Sequence, residues 1–142
     1  MTEQLFQIGV KACIQRADGA ILMLQEPSKQ GSLYWDLPGG RVQPGEGMLD
    51  ALKRELNEEI GLEAWVSAEQ VGVLLANPRI SAENDHPKLA IVLYAVEADN
   101  PGSLQSTEAG VRMAWKTIAE ATELLANKYP AEISTLLQKA AR

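Results

Sequence analysis

The chain is short of several residue types that would commit it to particular chemistries. With a single cysteine, Cys13, it closes no intrachain disulfide, and since no catalytic signature surrounds that residue it reads as a small core side chain. Histidine is as scarce: His86 alone titrates ordinarily near neutral pH. A general-base role is therefore open to it, beside the simpler reading of an exposed loop histidine. Basic residues are outnumbered, 13 Lys and Arg against 19 Asp and Glu, which leaves a net charge of −6 and a pI near 4.8. That balance argues against nucleic-acid backbones or anionic membranes as partners. Long apolar runs, internal repeats and linker-like tracts are missing, and nothing at the N-terminus reads as a targeting segment. One domain spanning residues 1–142, in the cytoplasm, is the expectation. The 46% hydrophobic and 23% charged content is that of an ordinary globular core and surface.

What the chain does have is concentrated between Gly39 and Leu62. Gly40 and Glu46 lie on a loop rich in glycine and proline, followed by a helical pattern that stops at Gly61. Leu49, Leu52, Leu56 and Ile60 recur at three- and four-residue steps, which at about 100° per residue predicts one buried stripe roughly 80° wide. Glu55, Glu58 and Glu59 fall on the flank beside it. This is a poor place for three acids. They occupy the last turns, where the helix dipole disfavours anions, and they set like charges three and four residues apart. A solvated acidic face is the plain alternative, but a hard divalent cation removes the conflict. Mg²⁺ takes oxygen ligands, commonly one or two carboxylates with water and substrate phosphates. The Gly39-Gly40 turn would add a backbone carbonyl and present substrate at Gly40. Arg54, four residues before Glu58, would hold that carboxylate through a forked hydrogen bond.

The run Gly40, five residues, Glu46, seven residues, Arg54-Glu55-Leu56, one residue, Glu58-Glu59, one residue, Gly61-Leu62 resembles the Nudix box at each of its fixed positions. Trp35-Asp36-Leu37-Pro38-Gly39 is similar to the usual lead-in. The resemblance implies a hydrolase dependent on Mg²⁺ or Mn²⁺ that cleaves a phosphoanhydride in a nucleoside diphosphate linked to another group, such as ADP-ribose, or in a nucleoside triphosphate. It further implies that Glu55 and Glu59 bind metal directly, that Glu58 binds or positions a further metal or water, and that the Gly39 carbonyl adds a ligand. Glu46 and Arg54 would support loop and helix, and no residue is singled out as general base. Glu108 resembles by placement an acid outside the box that some members use as extra ligand or base, while a surface glutamate fits that position equally. Such chemistry suits the parts: metal neutralises the anionic substrate and acidifies the attacking water. Two other readings stand beside it, a non-catalytic Nudix-like module that senses a nucleotide and a structural protein with a merely acidic helix.

Elsewhere the chain alternates strand and turn. Gln7 to Ile14 and Ala20 to Gln25 flank Asp18-Gly19 and predict a hairpin. Trp35 packs beneath the box loop rather than on a base. Ala64 to Ala76 forms one strand or two broken near Ala68-Glu69, ended by Asn77-Pro78. Arg79, Glu83, Asp85 and His86 then occupy a polar loop before the strand Leu89 to Val96. Arg79 there is a candidate phosphate ligand, or else a solvated charge. The placement of Pro78 resembles that of a proline in the ADP-ribose pyrophosphatases. Val111 to Trp115 is a short strand with Arg112 turned from the core. Thr117 to Glu120 has capping-box spacing before a helix that ends near Asn127, and a last helix follows Pro130. One central and two late helices among strands predict an α/β/α sandwich around a mixed sheet, the fold the resemblance also implies. A small-molecule nucleotide is the expected partner, with room for a homodimer.

Overall fold

A computed structural model describes residues 5–77 and 88–141; Pro78, Arg79, Glu83, Asp85 and His86 lie outside the described residues. Four strands, β1 (Phe6–Ile14), β4 (Gly39–Arg41), β5 (Ser67–Leu75) and β6 (Lys88–Glu97), form a mixed sheet in the order β4-β1-β6-β5, in which β1 and β6 run parallel. Three more, β2 (Ile21–Pro27), β3 (Leu33–Asp36) and β7 (Arg112–Lys116), form an antiparallel sheet in the order β3-β2-β7. Helix α1 (Met48–Ile60) packs on one side of this strand layer, and α2 (Ile118–Leu125) with α3 (Glu132–Ala140) on the other.

Strand periodicity explains the sandwich. Val10, Ala12 and Ile14 of β1, Leu22 and Leu24 of β2, and Val92, Tyr94 and Val96 of β6 join one core with Ala51, Leu52, Leu56 and Ile60 of α1. Their neighbours Cys13, Ile21, Met23, Ile91, Leu93 and Ala95 point the opposite way, into a second core with Ala121, Leu125, Ile133 and Leu137. Strands covered on both faces read as near-continuous apolar runs, as β1, β2 and β6 do. Cys13 is a core residue as expected, and burial pushes its thiol up to about 12, where it is inert. The capping box forms at Thr117 and Glu120, and Arg112 is exposed. No helix among the described residues is long and apolar enough to cross a membrane.

Several local expectations change. The Asp18-Gly19 turn closes, with the Gly19 N–H donating to the Arg16 carbonyl at 2.9 Å, but β1 and β2 share just the Gln15–Ile21 bridge. They then part into different sheets, β1 pairing with β6 and β4 while β2 pairs with β3 and β7. Of the two alternatives for the next segment the single strand holds, β5 running unbroken through Ala68-Glu69 with a bulge between Gln70 and Gly72. Leu49 is 48% exposed and Met48 lies in solvent beside it, burial in α1 starting at Ala51. Periodicity fixes a direction around the helix axis, not the point along it where the sheet begins. Trp35 packs against the α2–α3 core with Lys116 over its ring.

Candidate active site

The Gly39–Arg41 segment, expected as a turn, is a short strand laid antiparallel on β1, with Lys11 opposite Gly39 and Val10 opposite Gly40. Both glycines are needed there. Gly39 has φ 135°, and a Cβ on it would overlap the Val10 carbonyl oxygen; a Cβ on Gly40 would overlap the Glu55 carboxylate. With no side chain at Gly39 or Gly40, the acidic flank of α1 lies directly against the strand. Gly61 ends the helix at φ 71°, its N–H donating to the Asn57 carbonyl at 3.1 Å. The carbonyls left over at that end are taken by the loop before β7. Thr107 donates its N–H to the Glu59 carbonyl at 3.0 Å and its hydroxyl to that of Glu58, which carries Glu108 to the mouth of the site.

A cleft of about 280 Å³ results, with Gly39, Gly40, Glu55, Glu59, Glu26 and Glu108 in its lining. Glu59 is 6% exposed and accepts the Gly39 N–H at 2.7 Å. Burial raises its carboxyl to about 8; Lys11 and the Gly39 N–H pull it down, and the charges of Glu26 and Glu55 push it further up. Glu58 does not line the cleft: its side chain is 56% exposed, at the rim. The fork of Arg54 grips Glu46 rather than Glu58, through Nε at 2.8 Å and Nη2 at 3.0 Å. Its Nη1 reaches Glu55 at 2.9 Å, while Glu58 is 3.5 Å away. Arg54 thus ties the loop, through Glu46 and the Arg41 carbonyl, to the acid that faces the cleft. The same hydrogen-bonded pairing holds the Glu46 carboxyl down at about 2.

A second charged group backs the first. Asp36, 1% exposed, meets Lys11 at 3.2 Å, Lys128 at 2.6 Å and the Tyr129 hydroxyl at 2.7 Å. Burial alone would raise the Asp36 carboxyl; the two ammonium groups and the hydroxyl outweigh it and hold it at about 2. Glu26, half-buried on β2, is raised by burial, with Lys11 opposing and Asp36 and Glu108 adding to the rise. Sequence reading missed Glu26, Asp36, Lys11 and Lys128 as parts of the site. A lysine between Val10 and Ala12 in an apolar strand was a visible signal. Lys128 offered none, because the fold brings it to Asp36 from 92 residues away.

Among the described residues no three acids already meet as a preformed cage for an ion. The donor chemistry nevertheless suits a hard cation, being carboxylate oxygens and a backbone carbonyl around a buried acid that burial keeps from ionising in its ordinary range.

The family described as NUDIX domain matches residues 5–137. The CTP pyrophosphohydrolase of Escherichia coli (strain K12) is 49% identical over 60 residues, 42% of this chain and 44% of that protein. The 8-oxo-dGDP phosphatase NUDT18 of Homo sapiens is 36% identical over 89 residues, 52% of this chain and 28% of that protein. The chain therefore matches less than half the length of either relative. The solution structure of the Escherichia coli ORF135 protein superposes with a TM-score of 0.65 at 30% identity, covering 95% of this chain and 88% of that one.

Proposed function

The chain belongs to the Nudix family, and on that premise we propose that it hydrolyses a phosphoanhydride bond in a nucleotide, with Mg²⁺ as cofactor and Mn²⁺ as substitute. The observation that carries the reading is Glu59, an acid of the box held in a cleft against a backbone N–H, with Glu55 beside it. Nucleoside di- and triphosphates are favoured over ADP-ribose, since two of the matched relatives are named for CTP and 8-oxo-dGDP. A single domain and a cytoplasmic setting belong to the same proposal.

Glu55, Glu59 and the Gly39 carbonyl would hold the metal, with Glu58 at the rim and Glu108 on the cleft wall as further oxygen donors. Bound there, it would neutralise phosphate charge and lower the pKa of the attacking water. The protein's own part is placement. The Gly39 N–H orients Glu59, Arg54 orients Glu55 and pins the loop, and Gly40 leaves the space the Glu55 carboxylate needs. Arg41 and Lys128 line the same cleft and would offer cationic donors to phosphate oxygens.

Incubating the protein with CTP, 8-oxo-dGDP and ADP-ribose in Mg²⁺ should release phosphate or pyrophosphate from at least one of the first two. No turnover of any of them, or turnover unchanged in EDTA, contradicts the reading. Gly40→Ala provides a local check. Its new methyl displaces the Glu55 carboxylate, so kcat should fall about a hundredfold. The melting temperature should move little, because the displaced atoms end a flexible side chain.

A further inference from the structure

Lys11 sits in β1 between Val10 and Ala12, both wholly buried, and is itself 6% exposed. A buried ammonium is costly to desolvate, and an apolar side chain of similar volume would pack there without that penalty. Its donors are all engaged: Nζ gives hydrogen bonds to the Leu37 and Gly39 carbonyls, each at 3.1 Å, and meets Asp36 Oδ2 at 3.2 Å. An ammonium has three N–H bonds, so none is left for substrate while this arrangement stands.

The two carbonyls bracket the Pro38–Gly39 peptide. That peptide's own groups are engaged as well, its N–H with Glu59 at 2.7 Å and its carbonyl with the Ala12 N–H at 2.9 Å. Gly39, at φ 135°, has wide backbone freedom of its own, so its orientation has to be imposed from outside. We propose that Lys11 is a positioning residue: by clamping the peptide units on either side of Pro38–Gly39, it sets the N–H that aims the Glu59 carboxylate and the orientation of the Gly39 carbonyl it binds. The retained lysine thus acts through Gly39 rather than on substrate. The kinetic part of this inference rests on the hydrolase reading, while the geometric part does not.

The test compares Lys11→Met with Tyr129→Phe. The second variant also removes a partner of Asp36, from a core residue, but leaves Gly39 untouched. Lys11→Met should lower kcat about thirtyfold or more with KM within about twofold. It should also shift the Gly39 amide proton upfield and speed its exchange with solvent. Tyr129→Phe should lower the melting temperature yet leave the Gly39 amide in place and kcat within about threefold. An unmoved Gly39 amide in Lys11→Met, or an equal shift in both variants, overturns the positioning role. A shifted amide in a protein whose wild type turns over no nucleotide sinks the hydrolase reading and leaves the positioning role standing. Should Lys11→Met not fold, Lys11→Arg carries the same measurements, since it keeps the charge but not the three-way reach.

Discussion

Glu59→Gln should lose about a thousandfold of the metal-stimulated hydrolysis and, in the absence of metal, be more stable than the wild type at alkaline pH. Both effects have one cause. In the folded protein burial holds the Glu59 carboxyl up at about 8, against an ordinary value of 4.5. Between those values the unfolded chain has released its proton while the folded one keeps it. Unfolding therefore releases a proton, and stability falls as pH rises through that window and levels off above it. Glutamine keeps the acceptor for the Gly39 N–H and has nothing to ionise. The stability difference should thus be absent below about pH 4 and reach on the order of 2–4 kcal/mol above about pH 8. Urea unfolding in EDTA at pH 4 and pH 8.5 checks this. Saturating Mg²⁺ should stabilise the wild type and leave the variant unaffected, as expected of an acid kept for binding rather than for the fold. Equal stabilities at both pH values would show that the carboxylate is not under strain.

Asp36→Asn should destabilise the protein by about 3–5 kcal/mol, because it leaves the buried Lys11 and the partly buried Lys128 charged around a neutral amide. For a chain of this size that lowers the melting temperature by about 10 °C or more. Here the pH dependence has the opposite sign. Two ammonium groups and a hydroxyl hold the folded carboxyl at about 2, below its ordinary 3.8, so its contribution is complete above pH 3.8 and lost as pH falls through about 2. Thermal melts between pH 2 and pH 6 should show that loss in the wild type and lack it in the variant. A melting temperature within about 3 °C of wild type at pH 7 would mean the amide is accommodated, and the buried pairing would need another explanation.

Local and periodic signals were legible in the sequence, and what depends on distant contacts was not. The helix from Met48 to Ile60, its stop at Gly61, the capping box at Thr117 and the strands around it follow from spacing over a few residues. Neighbour pairing was misread at Asp18-Gly19. The turn signal was real, but which sheet β1 and β2 join is decided by β6 and β7, far along the chain. At the site, helical spacing put Glu55 and Glu59 on the flank of α1 that lines the cleft, while Arg54 gives its fork to Glu46 and meets Glu58, the expected partner, only at 3.5 Å. Helical spacing offers Glu58 one turn away, but it cannot show that the loop brings Glu46 to the better edge of the guanidinium. The backing network of Lys11, Asp36, Lys128 and Tyr129 draws on three segments, and no sequence window contains it.

Calorimetric titration of Mn²⁺ into the wild type and into the Glu55→Gln/Glu59→Gln double variant tests the central claim most directly, namely that these acids are gathered to grip a cation. Saturable binding in the wild type that disappears in the double variant is the predicted result. Weak, unsaturating heats of equal size in both proteins would contradict it.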